Sequence, residues 1–527
     1  MMKSKKYEIR DKRYDRKFSF AKSRGDILLT VLVFAAITLM VTIALVRWGS
    51  IMLAEIRNVK SNEQAFQIAE AGIDYYRWHL AQYPTDYKDG TTNTGPYVHQ
   101  FFDKNGNILG SYSLTITPPP VGSTIVKILS MGTASLTPIT VRKVQATMAI
   151  PSLAKFAVVA NDNMRFGEGT EVFGPVQSNG GIRFDGLAHN LISSALQHYS
   201  DTDSDDCTPN GDAFGVHTCE SSALYPNGDP AWSSNSTVPN RADVFMSSRQ
   251  FPVPAIDFNG LTFGLAQLQT LARNGGIEWT QSKDSHNKPA KGYHIVLRTD
   301  GKYDIYTVIT TQTASNNCST NSGSSGQWDT WSIASQTLIG TYPIPGNDII
   351  FLDDDVWVDG QINTSRVTIV AGIVGATNSA SYVNITVNTN LRYTNYDGRD
   401  VIGLISQGDI NVGLFSDPSF EVDAALVAEN GRVGRYFYDS SCGSSFGRSA
   451  LTLNGMIATN TRYGFAWTQP PINPTNDPID CGGSIGRIAS GYCTRNLNYD
   501  GNLLYGPPPS FPQATTQYQV ISWKEVQ

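Results

Sequence analysis

From Ile27 to Val46 the chain runs for 20 residues without a charge. As a helix rising about 1.5 Å per residue, such a run spans about 30 Å, the thickness of a hydrocarbon core. A helix satisfies its own backbone polar groups, so residues 27–46 can cross lipid. Just ahead of the run, residues 1–25 carry ten Lys and Arg against three Asp and Glu. The positive-inside tendency keeps that N-terminus in the cytoplasm and places everything after about residue 47 outside. A cleaved secretory signal is the competing reading. It fits poorly, because the run exceeds the roughly 7–15 apolar residues of a signal core and no small-x-small site follows Val46.

The remaining residues hold 30 basic and 43 acidic side chains. A basic head before a mildly acidic body is the charge plan of a membrane protein and not of a nucleic-acid binder. The helix is expected to continue past the lipid. Residues 51–83 contain no proline, and Ile51, Ala54, Val59, Ala65, Ile68, Ala69 and Ile73 recur at helical spacing among charged residues. This reads as an amphipathic extension ending near Pro84.

A basic leader ending in Gly25, the apolar run, and Gln64-Ala65-Phe66-Gln67-Ile68-Ala69-Glu70-Ala71-Gly72 together resemble the start of type IV pilin-like proteins, most closely minor pilins of the PilX type. The resemblance covers about residues 17–80. It implies cleavage between Gly25 and Asp26 by a prepilin peptidase, and packing of the helix among other pilin subunits. Residue 30 is Thr where major pilins carry a glutamate. A low-copy minor or tip subunit therefore suits the chain better than a major one.

The fold class expected is α+β and mostly β. The long N-terminal helix is followed by a small antiparallel sheet and then by a parallel β-helix-like domain with insertions, with a β-sandwich as the alternative. Tyr112–Thr117, Thr124–Thr133 and Ile139–Ile150 read as strands bounded by prolines. Beyond residue 155, short apolar runs end in turns such as Ser178-Asn179-Gly180-Gly181 and Ser406-Gln407-Gly408-Asp409. Gly and Asn supply the positive φ of such corners, and stacked short strands with corners are the mark of a β-helix. The division expected is a basic leader (1–25), the helix (26–84), a small sheet (85–152), first rungs (153–198), an insertion (199–345), main rungs (346–470) and a Pro- and aromatic-rich cap (471–527). The last strand of that cap, around Tyr518–Trp523, is expected to pack on the β-helix.

Candidate chemistry is sparse. The six cysteines form no CxxC pair and lie outside the expected membrane, which favours disulfides. The short gaps point to Cys207–Cys219 and Cys481–Cys493. Asp201, Asp203, Asp205 and Asp212 alternate as oxygen ligands for calcium would, although Asp206 stands where a calcium loop needs Gly. A solvated acidic loop is the plainer reading. Asp353, Asp354 and Asp355 form a second acidic run. Gly443–Gly447 and Gly482–Gly486 match Gly-x-Ser-x-Gly without the strand and helix a nucleophile elbow requires. Asp397, Arg399 and Asp400 are the residues a polysaccharide-cleaving site would use, and a turn is the simpler account.

The function expected is therefore a membrane-anchored surface protein with a structural or adhesive role in a type IV pilus-like system. It is not expected to be an enzyme or to need a cofactor other than calcium, and a surface or glycan ligand is left unspecified. A polysaccharide-active surface enzyme and a plain single-span surface protein are the rival readings.

Overall fold

The computed structural model describes residues 26–526 except 120–122, 136–138, 153, 203–210, 259–263, 315–317, 319–329, 469–477, 483–485 and 512–516. Helix α1 runs unbroken from Asp26 to Gln82, about 85 Å at the usual rise. No proline interrupts it, and Pro84, which lacks an N–H and disfavours helix in the residue before it, marks its end.

Four antiparallel strands follow in a meander: β1 (Tyr97–Phe102), β2 (Ile108–Thr117), β3 (Val126–Ala134) and β4 (Val141–Ala149). In β3 the burial alternates, so one face is apolar. Ile128 of β3 joins Leu114, Val144, Ala146 and Met148 in a core that receives Ile68, Ala69, Ile73, Tyr76 and Leu80 of α1. Helix and sheet approach unusually closely where small residues meet. A Cβ on Gly132 would stand 2.2 Å from the Ala65 carbonyl oxygen, and one on Gly72 would stand 2.3 Å from Ser130 Oγ.

The strand Gln519–Val526 does not pack on the large domain as expected. It joins the small sheet as a fifth strand, antiparallel to β4. Without it, β4 would present an unpaired edge. Trp523 meets Phe66 of α1 edge-on at 5.8 Å, and the hydroxyls of Tyr518 and Tyr87 lie 3.1 Å apart.

The remainder is a large domain of short parallel strands stacked in rows. One row carries an aliphatic ladder in strict register: Ile277, Ile350, Ile369, Leu404, Leu426, Ile457, Val158, Val176 and Ile192. A second carries Leu391, Val422, Leu453, Leu497, Val172 and Ala188. Shorter runs, Val356-Ile385-Ile410-Val433 and Met164-Ile182-Val216, form further parallel ladders. These side chains point into one common core. Each level buries its neighbour's apolar face, which no single level could do alone. The outward face of the first row, with Phe351, Val370, Ile405 and Val427, is covered by the short helix Leu265–Arg273 and by Leu503 and Phe511.

The order of levels is not the order of the chain. The chain enters at Val158–Ala160, beside Gly447–Thr459, and climbs to Arg249–Gln250. It then restarts at the far end of the stack, with Ile277–Trp279 and Gly292–Leu297, and returns through 349–459 to meet its own beginning. The level above Gly447–Thr459 is shared between Val158–Ala160 in one row and Ser490–Tyr499 in the other. The strands at 277–297, within the stretch expected as an insertion, thus belong to the same sheet as the later levels.

Candidate functional site

Two places in the fold carry surface chemistry that its own packing does not use: the bare half of α1, and a cleft where the sheet, the strand stack and the C-terminal segment meet.

The large apolar residues of α1 from Ile27 to Val59 are between 49% and 72% exposed. Hydroxyls among them bond inward to the helix, Thr38 Oγ1 to the Phe34 carbonyl at 2.8 Å and Ser50 Oγ to the Arg47 carbonyl at 2.8 Å. By length and composition α1 is able to cross a membrane. At roughly 1.5–3 kcal/mol for each large apolar side chain, leaving this surface in water would cost on the order of 30 kcal/mol or more. From Ile27 to Val59 the exposed part of α1 is about 50 Å long against about 30 Å of hydrocarbon, and Arg47, Glu55 and Arg57 interrupt its second part. Trp48, Ile51, Met52, Leu53, Ile56 and Val59 occupy the excess.

The motif residues divide by position. Gly25 lies outside the described residues, and Asp26 begins α1. Ala65, Ala69 and Gly72 are buried against the sheet, and Glu70 and Ala71 are half-buried. Phe66 packs between Trp523 and the Arg142 guanidinium, which lies 5.6 Å from its ring. The tight seam explains the small residues at 65, 69 and 72.

The cleft has a volume of about 630 Å³. Ser123 and Ile125 line it from the sheet, Asp348, Arg366 and Asp397 from the strand stack, and Asn502 from the C-terminal segment. Arg366 is spent on the wall, donating to the carbonyls of Gly398 at 2.8 Å and Gly506 at 2.9 Å. Burial holds its guanidinium below the ordinary arginine range. Arg399 pairs with Asp397 at 2.9 Å on the open rim. That pair and its hydrogen bonds hold the Asp397 carboxyl below the usual range, the backbone N–H of Arg399 contributing most. Burial pushes Asp348 up, opposed by the nearby charge of Arg366. Asp400, which the sequence grouped with Asp397 and Arg399, is buried and accepts from the backbone N–H groups of Ser365, Thr394 and Asn395. It staples a turn and does not face the cleft lining.

Of the calcium candidates, Asp203 and Asp205 lie outside the described residues. Asp201 sits 3.2 Å from His217 Nε2 and 3.9 Å from Arg183, and Asp212 lies 3.0 Å from His198 Nδ1. Asp201 and Asp212 are on neighbouring antiparallel strands, each beside its own histidine. Among the described residues no group of three or more His, Cys, Asp or Glu is arranged to hold a metal ion. The seven histidines each sit beside a different carboxylate, the loosest being His286 and Asp284 at 3.9 Å. Asp354 accepts from Ser282, and Asp355 from Asn384. The Gly443–Gly447 stretch forms short 3₁₀ turns, and the middle of Gly482–Gly486 lies outside the described residues.

Cys481 and Cys493 are joined by a disulfide, and so are Cys318 and Cys442. Cys219 is also disulfide-bonded, and Cys207 lies outside the described residues. Sequence reasoning missed Cys318–Cys442, whose ends are 124 residues apart. It also missed the cleft, apart from Asp397 and Arg399. Asp348 and Arg366 gave no signal, because distant loops bring them together.

No protein-family model matches the chain, and no curated protein matches it. Among solved structures the chain is similar to the competence-associated pilin ComZ from Thermus thermophilus, at 14% identity and a TM-score of 0.28, over 88% of this chain and 98% of that one. At that TM-score the functional reading rests on the geometry above.

Proposed function

We propose that this chain is a membrane-anchored, pilin-like subunit whose helix is shared between lipid and neighbouring subunits, and whose strand stack is displayed outside the membrane. One observation carries the reading: exposed apolar side chains on α1 continue, among Arg47, Glu55 and Arg57, for about 20 Å beyond the uncharged span before the helix docks on its own sheet. Lipid covers the first part. The exposed apolar side chains of the next stretch suit a protein neighbour, and further helices of the same kind fit it best. The sequence likeness of residues 17–80 to minor pilins supports the same assignment, including removal of the basic leader before Asp26 by a prepilin peptidase. The strand stack then serves a structural or adhesive role.

Single cysteines placed at Ile51 and at Ile56, with a photoactivatable crosslinker in native membranes, test the assignment. Crosslinks to protein at both positions are expected, together with Asp26 as the mature N-terminus by mass spectrometry. Crosslinks to lipid alone, with the leader retained, would reduce the chain to a plain single-span surface protein.

A further inference from the structure

We propose that the cleft between the sheet, the strand stack and the C-terminal segment binds a neutral sugar unit of a surface glycan. The inference concerns residues far from the bare part of α1, so it stands or falls separately from the anchoring assignment.

The cleft is a built feature. Its roughly 630 Å³ is within the range of small-molecule sites, which concentrate where domains meet. Four of its lining residues hold positive φ: Gly301 at 73°, Asp348 at 60°, Thr364 at 50° and Gly398 at 85°. For glycine this is free. For a β-branched threonine it is strained, and such strain gathers where a surface is shaped for a task. Arg366 ties the two walls together by bonding Gly398 of the stack and Gly506 and Pro507 of the C-terminal segment. Ser123 Oγ bonds the Tyr505 carbonyl at 2.9 Å and fixes the third wall.

The lining chemistry selects the ligand class. The charged side chains are two carboxylates, Asp348 and Asp397, and two guanidiniums, Arg366 and Arg399. They balance, so the cleft offers no net field for a phosphate or a uronic acid. Arg366 is committed to carbonyl oxygens. The Asp348 carboxylate is half-buried and accepts no hydrogen bond from the described residues, so it can take hydroxyl donors from a ligand. At the rim the Asp397–Arg399 pair places acceptors and donors side by side, and Asn502 adds an amide. Ile125 and Ile344 supply an apolar wall. Vicinal hydroxyls over a face of C–H groups match this set. A hydrophobic ligand would strand the carboxylates, and an anionic one would meet Asp348 with Arg366 held by carbonyl oxygens and Arg399 by Asp397.

The detergent-solubilised full chain is titrated by calorimetry and saturation-transfer NMR. The probes are neutral di- and trisaccharides of glucose, galactose, mannose and N-acetylglucosamine, with uronic- and sialic-acid-bearing counterparts. At least one neutral series is expected to bind. Asp348→Asn removes the acceptor charge, and Asp397→Trp fills the mouth from an exposed position. With melting unchanged, either variant should weaken binding by about ten-fold or more, while Leu224→Ser, on an exposed residue outside the cleft lining, should not. The proposal is overturned if no neutral saccharide binds, if acidic saccharides bind better than neutral ones, or if both cleft variants bind as tightly as the parent.

Discussion

The seam between α1 and its sheet joins the long helix to the rest of the molecule, and one added methyl tests it. In Gly132→Ala the new Cβ would lie 2.2 Å from the Ala65 carbonyl oxygen, 2.4 Å from Ala69 N and 2.9 Å from Ala69 Cα. All three are helix backbone, so no side-chain rotation relieves the clash. Ordinary contact begins near 3.4 Å, so the seam must open by about 1 Å. A gap of that size forfeits a quarter to a half of the dispersion well on each facing contact, roughly. Ala65, Ile68 and Ala69 lie at the point of opening and are each 0% exposed. Losing that share of about 1.5–3 kcal/mol for Ile68, and of smaller amounts for the alanines, gives a cost of about 1–3 kcal/mol. Hydrogen exchange of the detergent-solubilised chain should show faster exchange over residues 61–82 and unchanged protection across the strand stack. Gly346→Ala, whose Cβ would meet nothing within 4 Å, is the matched control. Unchanged protection of residues 61–82 in Gly132→Ala would refute the close-seam argument.

Three further outcomes follow from the same reasoning. Burial pushes the Asp355 carboxyl from 3.8 to about 6, against the hydrogen bonds it receives from Asn384. The folded state therefore favours the protonated form, and this group's contribution to stability falls as pH rises from about 4 through about 6. Asp355→Asn, which keeps the acceptor for Asn384, should stabilise the chain by about 1–3 kcal/mol above that window and by little at its acid end, read from denaturant midpoints across pH. Leu404→Ala, at 0% exposure in the middle of the aliphatic ladder, should cost about 2–5 kcal/mol in the same assay. Removing Cys318–Cys442, which closes 124 residues, should cost more than removing Cys481–Cys493, which closes 12, about 5 against about 3 kcal/mol on the chain-entropy account. Equal losses would argue that strain or residual structure outweighs loop length.

What the sequence disclosed and what it withheld separate along a physical line. Helix α1 was legible because an uncharged run and an amphipathic continuation are local patterns. The strands of the large domain were legible because Gly and Asn corners punctuate short apolar runs. Their stacking order was not. Val158, Ile350 and Ile457 are interchangeable aliphatics, and nothing local says that Ile457 pairs with Val158. The apparent gap between the first rungs and the later ones was a consequence of reading the stack in chain order. The last strand was assigned to the wrong partner for a similar reason. Val520, Ile521 and Trp523 mark a strand, but which edge it pairs with depends on β4 being unpaired. The cleft was the least legible feature. Asp348 and Thr364 adopt positive φ without glycine to announce it, and the loops that frame the cleft are far apart in sequence.

The shared level of the stack also constrains when the molecule can be finished. Val158–Ala160 rests on residues 457–459, and Thr170–Phe173 rests on residues 495–498. The early levels therefore lack their apolar floor until almost the whole chain is available. Contacts of such separation impose a large loop-closure cost before they return any burial. A chain anchored by its N-terminus and exported from there would hold the 158–250 levels unsupported until the C-terminal segment arrives. That segment then completes the shared level through Ser490–Tyr499 and, further on, pairs with β4. Closing the stack and tying it to the helix-bearing sheet are thus late steps of the same segment. Leu503, Leu504 and Tyr505 bond Ser152, Thr124 and Ser123 beside the sheet first, and the C-terminal strand then completes the tie at β4.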